Sequence, residues 1–350
     1  MAVVVGLALT AAACSGGGGG GDPIAGGNDG PGEKILQFTG AGKVRISATL
    51  TMPASSSSKT PPPGVLIVPG PGLTNRDGST IGAPIDNLYK DLSKAFVAAG
   101  MATFRYDHRG SGASTLDAAV PPTWDDMVAD AQEALKYFGE RGEIDGTRLA
   151  VVGHDMSGPI ALKLAAADNR IKSVVLVAVP GRPLVDVWAD QFQAVNGKDS
   201  ADAFRTLAAG LVDSGSLPAR DSIRPEFQSV LPIGQDELYR SMFSLDPLAD
   251  APAVKVPVLM ALGEKSTSVY QDDAARIGKA LGGTSEVVVA PNANATLQTL
   301  KAAPARVVSG DPNDMTAMGG GPLIAEAPRD QPTVARISSF LGASFGARPS

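Results

Sequence analysis

Histidine, cysteine and basic charge are scarce in this sequence of 350 residues, which contains two histidines, one cysteine and a net charge of −6. The acidic balance, with a pI near 5.1, gives no basic footprint, so we expect no nucleic-acid partner. The lone cysteine, Cys14, has no second cysteine with which to form an intramolecular disulfide. Proton transfer by an imidazole is restricted to His108 or His154. We expect neither a cofactor nor a metal.

The N-terminal residues are apolar and small, and they lead directly to the cysteine. The stretch Ala11-Ala12-Ala13-Cys14 resembles the lipobox of a bacterial lipoprotein, although no Lys or Arg precedes the apolar run. We therefore expect a signal peptide at 1–13, a lipid on Cys14, a Gly-rich flexible tether at 14–33 and a location in the bacterial cell envelope. The alternative is a short apolar N-terminus with an incidental cysteine. No other segment is long and apolar enough to cross a bilayer.

Apolar segments alternate between strand and helix character along most of the chain. Residues 44–50 alternate apolar and polar side chains, which predicts a half-exposed strand, paired with 35–38 through Gly40 and Gly42 as a hairpin. Further strands are predicted at 65–68, 101–107, 148–153, 173–179, 256–263 and 286–290, and helices at 86–100, 124–142, 158–168, 270–281 and 331–343. This alternation predicts a doubly wound, mostly parallel sheet with helices on both faces, in one domain at 34–345.

One stretch interrupts the alternation. Residues 181–250 are mixed, mostly helical, and rich in Asp, Pro and Phe. No internal repeat and no second core accompany them, so we interpret this stretch as an insertion into the one domain.

The segment VVGHDMSGPIALKLAA, residues 151–166, runs from an apolar strand through a tight turn into an apolar helix. It resembles the nucleophile elbow of the α/β-hydrolases, in which the turn has the pattern Gly-x-Ser-x-Gly. In that register Asp155 occupies the nucleophile position and Ser157 occupies the second glycine.

Other segments resemble a bacterial branch of the same family, the esterases and serine aminopeptidase-like proteins. They are VPGPGLTNRDG (68–78), FRYDHRGSGAS (104–114), GRPLVDVWADQF (181–192), SLDPLADAPAVKVPVLMALGEKS (244–266) and APNANATLQ (290–298). The resemblance implies an α/β-hydrolase fold with an eight-stranded sheet, a helical cap over the active site at 181–250, and hydrolysis as the usual activity.

The resemblance places most of the catalytic groups on residues that cannot perform the usual chemistry, and only the second oxyanion donor is intact. The triad acid falls on Ser266, and the triad base falls on Ala295, which has no proton to transfer. The oxyanion donors fall on Pro71, which has no N–H, and on the N–H of Met156. The remaining candidates for the site are Gly70, Gly72, His108, Arg109 and Asn294.

Three functions follow as alternatives. The first is a non-catalytic hydrolase-fold lipoprotein that binds a small molecule or a protein partner. In it, Asp155 at the start of a helix is ionised and favours cationic or neutral polar ligands. The second is an active serine esterase or peptidase with a displaced triad. The third is a hydrolase that uses Asp155 as nucleophile and His108 as base. His154 is expected to point away from Asp155, because adjacent side chains at a strand end alternate.

Overall fold

The structure is a computed structural model that describes residues 32–70, 74–79, 86–116, 120–228, 230–231, 233–283, 285–300 and 327–346. The proposed signal peptide, Cys14 and most of the tether lie outside these residues. Among the helices of the described part, none has the length and apolar character needed to span a membrane.

The described residues form one eight-stranded sheet with helices on both faces, as predicted. The strands are β1 (Glu33–Thr39), β2 (Arg45–Thr51), β3 (Pro63–Val68), β4 (Ala102–Tyr106), β5 (Asp145–His154), β6 (Ile171–Val177), β7 (Val258–Gly263) and β8 (Ser285–Ala290). Their order in the sheet is β1-β2-β4-β3-β5-β6-β7-β8. β2 is antiparallel to both β1 and β4, and the remaining neighbours are parallel.

Helices connect the strands and also form an insertion between β6 and β7. They are α1 (Leu88–Ala98), α2 (Trp124–Gly139), α3 (Gly158–Ala167), α4 (Leu184–Asn196), α5 (Lys198–Ser214), α6 (Pro225–Gln228), α7 (Asp236–Phe243), α8 (Gln271–Leu281) and α9 (Gln331–Ser344). We refer to α4–α7 as the helical insertion. Thr123 begins α2 with a reciprocal cap, accepting the Asp126 N–H while the Asp126 carboxylate accepts the Thr123 N–H.

The core lies on both faces of the sheet, because the parallel strands are apolar throughout. In β3, Leu66 and Val68 belong to one apolar cluster, while Val65 and Ile67 belong to the other. The first cluster includes residues of α2, α3 and the helical insertion, and the second includes residues of α1 and α9. A continuous apolar run is therefore what a central strand buried on both faces requires.

The hairpin prediction is confirmed, but the predicted exposure of its second strand is wrong. β1 and β2 pair in an antiparallel register in which Thr39 lies opposite Arg45. Every residue of β2 after Arg45 is buried. The polar face is covered by Arg76, whose guanidinium donates to the Ser47 hydroxyl at 2.7 Å and to the Thr49 hydroxyl at 3.2 Å. Alternating polarity therefore reflected a face that hydrogen-bonds to a loop, not one that meets water.

The order of the strands reverses at β3, since β4 and β5 lie on its two sides. In open sheets of this kind, ligands bind outside the carboxyl ends of the strands at such a reversal. The elbow at Asp155 directly follows β5 and lies at this edge.

Candidate functional site

The turn after β5 has the backbone geometry of a nucleophile elbow. Asp155 adopts a left-handed conformation with φ of 52° and begins a short 3-10 turn that leads into α3. A Cβ on Gly153 would lie 2.8 Å from the Ser157 carbonyl oxygen, and a Cβ on Gly158 would lie 2.2 Å from Val179 Cγ1. The two glycines therefore permit strand and helix to approach closely, while Asp155 is held in a strained conformation.

Ser157 is a structural residue within this turn. Its side chain is fully buried, and its hydroxyl accepts the His154 N–H at 2.8 Å. The hydroxyl also lies 3.0 Å from the Val68 carbonyl oxygen and 2.9 Å from that of His154. Because this hydroxyl is enclosed and already engaged with backbone groups, Ser157 is not placed to act as a displaced nucleophile.

The Asp155 carboxylate is the charged group at the tip of the elbow. The residue is exposed, and the backbone N–H of Met156 hydrogen-bonds to the carboxylate. Partial removal of water by the surrounding protein raises the pKa of the carboxyl to about 6, and the Met156 N–H opposes that rise. Water that reaches the exposed side chain moderates the shift. Asp155 is thus largely ionised at pH 7 and protonates at mildly acidic pH.

His154 takes part in a hydrogen-bonded chain beside the elbow. Its Nδ1 lies 3.1 Å from the Tyr89 hydroxyl, which itself accepts the Gly70 N–H at 2.9 Å. The ring also hydrogen-bonds to the backbone of Ala295. These partners fit a neutral ring that accepts at Nδ1 from Tyr89 and donates from its other nitrogen to the Ala295 carbonyl.

The electrostatic surroundings keep His154 neutral. Burial, supplemented by the positive charge of Arg329, lowers its pKa to about 4. Strand alternation predicted only that the ring would point away from Asp155. The structure places it against the loop that carries Ala295, the position at which the family resemblance expects the triad base. The ring therefore lies beside the position equivalent to the triad base, and its two nitrogens are engaged with Tyr89 and Ala295.

The positions equivalent to the triad acid and base lie in loops at the same edge of the sheet. Ser266 follows β7, and its hydroxyl accepts the Val269 N–H at 3.1 Å. Ala295 follows β8 and is buried. Asn294 was a candidate to line the site, but its buried side chain instead shapes the loop. Its Oδ1 accepts the Gln298 N–H at 2.9 Å, and its Nδ2 donates to the Gln298 side chain at 3.0 Å.

The other histidine, His108, follows β4 and is buried. Its Nδ1 lies 3.0 Å from the Arg109 carbonyl oxygen, and burial lowers its pKa. Its Nε2 has no hydrogen-bond partner among the described residues. The negative charge of Asp130 opposes this lowering of the pKa.

Arg109 was a further candidate for the site, and the structure gives it a structural role. Its guanidinium forms two hydrogen bonds of 2.8 Å with the Asp130 carboxylate and lies 3.3 Å from the Ala41 carbonyl oxygen. Both side chains are buried. Arg109 therefore holds α2 against the turn after β1, and its donors are not directed at a ligand.

The oxyanion region lacks free donors where the structure describes it. Gly70 donates its N–H to Tyr89, and Met156 donates its N–H to Asp155. Pro71 has no N–H by its covalent structure, and Pro71 and Gly72 lie outside the described residues. No group of His, Cys, Asp and Glu in the described part of the chain is arranged to hold a metal ion.

Two residues that sequence analysis did not single out support this region. Tyr89, in the first turn of α1, is buried and links Gly70 to His154. Arg329 is buried and hydrogen-bonds to the Asp86 carboxylate, to the Thr296 carbonyl oxygen at 3.0 Å and to the Asp91 carboxylate at 3.1 Å. It joins the start of α1 to the loop of Ala295, and no local sequence pattern indicates this role.

The sheet order, the reversal at β3 and the elbow after β5 define an α/β-hydrolase. Residues 86–293 match the sequence profile of the serine aminopeptidase S33 family. The chain therefore belongs to that family of hydrolases, as the sequence motifs predicted.

Individual relatives agree with this assignment. The chain is 25% identical to the esterase EstD of Thermotoga maritima over 244 residues, which are 70% of this chain and 55% of EstD. It is 29% identical to a thiohydrolase of Arthrinium phaeospermum, apmlB, over 108 residues, 31% of this chain and 34% of the relative. The chain thus spans about half the length of EstD and a third of apmlB.

Solved structures show the same fold at lower sequence identity. An esterase of Pyrococcus furiosus aligns with a TM-score of 0.54 and 15% identity, covering 93% of this chain and 97% of the esterase. The α/β-hydrolase GrgF of a Penicillium species aligns with a TM-score of 0.51 and 19% identity, covering 74% of this chain and 89% of GrgF.

Proposed function

We propose that this protein is a non-catalytic member of the serine aminopeptidase S33 family, which uses the elbow carboxylate of Asp155 to bind a cationic or neutral polar ligand. In this proposal residues 1–13 are a signal peptide, and a lipid on Cys14 anchors the protein at the bacterial cell envelope. The anchor is supported by the N-terminal sequence alone.

One observation carries the proposal that the protein is non-catalytic. The Asp155 carboxylate occupies the place of a nucleophile and takes up the Met156 N–H, the one backbone donor that the resemblance leaves for an oxyanion. An acyl intermediate at this elbow would have no imidazole at position 295 to activate the water that hydrolyses it. Loss of a triad histidine alone reduces kcat by about 10⁶-fold.

The charge distribution supports the expected ligand class. Asp155 is exposed at the tip of the elbow, and its neighbours Tyr89 and His154 are neutral because burial raises the pKa of the phenol and lowers that of the imidazole. A single carboxylate among neutral groups attracts an ammonium or a hydrogen-bond donor and repels another carboxylate.

The first test is a reconstruction of activity. We expect the unaltered protein to hydrolyse 4-nitrophenyl acetate no faster than buffer. The triple variant Asp155→Ser, Ser266→Asp, Ala295→His restores the nucleophile, acid and base, and is expected to gain measurable turnover. A fluorophosphonate probe should label the variant at position 155 and leave the unaltered chain unlabelled. Esterase activity of the unaltered chain equal to that of the reconstruction would refute the proposal.

The second test concerns binding. Stabilisation against heat is measured with small alkylammonium ions and with the matching carboxylates. We expect ammonium ligands to raise the melting temperature of the unaltered chain and to have little effect on Asp155→Asn. The variant Asp213→Asn makes the same chemical change at an exposed position of α5 and should respond like the unaltered chain. Stabilisation by carboxylates alone would contradict the expected ligand class.

A further inference from the structure

The helical insertion contains a cleft that none of the elbow or triad-equivalent residues lines. Its volume is about 410 Å³, within the range of cavities that bind small organic molecules. The apolar part of its wall consists of Pro121, Leu217, Pro218, Ile223, Leu231 and Ile233. The cleft therefore lies between the end of α5, the start of α7 and the segment before α2.

Large apolar side chains reach solvent at this cleft. Ile233, which lines it, is 81% exposed, and Val120, adjacent to the lining residue Pro121, is 58% exposed. These are the two most exposed large apolar side chains in the described part of the chain. Ile223 and Leu231 are buried and form the deeper wall. Exposed apolar side chains beside an apolar cleft indicate a surface that is covered when a ligand binds.

Three charged residues line the cleft, and their bonding differs. Glu237 is paired with Arg240 by two hydrogen bonds, the longer of 2.8 Å. The Asp236 carboxylate accepts the Leu217 N–H at 3.0 Å and lies in the first turn of α7, where the helix dipole favours its charge. Both carboxylates therefore have partners within the protein.

Arg220 is the one cationic residue among those that line the cleft, and Glu237 is the only one of the two acids that an ion pair neutralises. Its guanidinium donates to the backbone carbonyls of Leu231 and Gln228, both at 2.5 Å. Within the described ranges it forms no ion pair with a carboxylate. A guanidinium has five N–H donors, so it retains donors for a further acceptor. A carboxylate is the group that best matches its geometry.

We propose that this cleft is a second binding site, which takes an amphiphile with an apolar body and a carboxylate head. The body packs against Leu217, Ile223 and Ile233, and the head binds Arg220. The site is independent of Asp155, and its ligand has the opposite charge from the one proposed there.

Methyl NMR of the 350-residue chain, labelled at isoleucine, tests the proposal with octanoate, octylammonium and octanol below their aggregation concentrations. We expect octanoate to shift the Ile223 and Ile233 methyl signals and to leave Ile337, a buried residue of α9 in the other apolar cluster, unchanged. Octylammonium and octanol should bind about tenfold more weakly, because each lacks the ion pair with Arg220. Equal or tighter binding of either would overturn the assignment of the head group. An absence of shifts at Ile223 and Ile233, or equal shifts at Ile337, would overturn the site.

Matched variants locate the apolar contact. Ile233→Ser removes an exposed apolar wall and is expected to weaken octanoate binding about three- to tenfold. Val287→Ser makes a similar change at a 46% exposed position of β8 that does not line the cleft, and should bind like the unaltered chain. Equal affinities of the two variants would refute the contact. The variant Asp155→Asn should bind octanoate normally, so failure at one site leaves the proposal for the other intact.

Discussion

The hydroxyl of Tyr89 lies 3.1 Å from Nδ1 of His154, across 65 residues of sequence. This contact joins the first turn of α1 to the end of β5, and the same hydroxyl accepts the N–H of Gly70. The hydroxyl occupies one ring nitrogen of His154, and the backbone of Ala295 is the other partner of the ring. The imidazole nearest the elbow is therefore a structural group with a neutral ring.

Removal of this hydroxyl is expected to destabilise the fold. In Tyr89→Phe, the Gly70 N–H and His154 Nδ1 lose their common partner, which should lower the free energy of unfolding by about 1–3 kcal/mol. Urea denaturation measures the change. Tyr137→Phe is the matched control, since its hydroxyl makes only a 3.3 Å contact with Arg141 at a partly buried position, and should cost less. Equal effects of the two substitutions would contradict the role given to Tyr89.

The left-handed backbone at Asp155 predicts that a glycine variant there is more stable than an alanine variant. With φ of 52°, glycine should fit better than alanine there, so Asp155→Gly should be about 1 kcal/mol more stable than Asp155→Ala. At Glu133, an exposed position inside α2, the order should reverse by a similar amount, because glycine is a poor helix former. Chemical denaturation of the four variants checks both signs. Alanine equal to or better than glycine at position 155 would show that the turn is not held in this conformation.

The two groups at the elbow have opposite effects on the pH dependence of stability. The pKa of Asp155 is raised from 3.8 to about 6, so between these values the folded state binds more protons, and this group lowers stability as pH rises. The pKa of His154 is lowered from 6.5 to about 4, so the unfolded state binds more protons there, and stability rises with pH.

Asp155→Asn separates these effects. The substitution removes the contribution that falls with pH and leaves that of His154. We expect the stability of the variant relative to the unaltered chain to rise from about pH 4 to pH 6 and then to level off. Unfolding free energies measured across that range test the sign. A difference that falls with pH would show that the carboxyl pKa is not raised.

The buried pair of Arg329 and Asp86 should contribute far more to the free energy of unfolding than a surface pair does. Their side chains are 4% and 3% exposed, so Arg329→Met would leave the Asp86 charge unpaired in the interior and should cost about 3–5 kcal/mol. The double variant with Asp86→Asn should recover part of that loss.

A surface pair provides the control for this prediction. Arg336 and Glu286 are 42% and 41% exposed, and Arg336→Met should cost at most about 1 kcal/mol. Thermal or urea unfolding of the unaltered chain, Arg329→Met and Arg336→Met measures the difference. A loss for Arg329→Met no larger than that for Arg336→Met would contradict the supporting role of Arg329 beside the loop of Ala295.

Much of the fold was predictable because it follows from local patterns. The hairpin, the order of strands and helices and the turn at Asp155 correspond to the alternation of apolar segments. Boundaries were less accurate: the helix predicted to end at 142 ends at Gly139, and the strand predicted at 148–153 extends over Asp145–His154. The ends of helices and strands depend on capping interactions and on strand register, and the periodicity of side chains indicates neither of these.

The sequence by itself determined which chemical groups are present: a carboxylate at the elbow, a serine and an alanine at the other triad-equivalent positions, and only two imidazoles. Only the tertiary structure decided their partners. It buried His108, placed His154 between Tyr89 and Ala295, and brought Arg329 to Asp86 across 243 residues. Covalent identity and local periodicity are properties of short segments, whereas a hydrogen bond between distant side chains exists only after the sheet and its helices have packed.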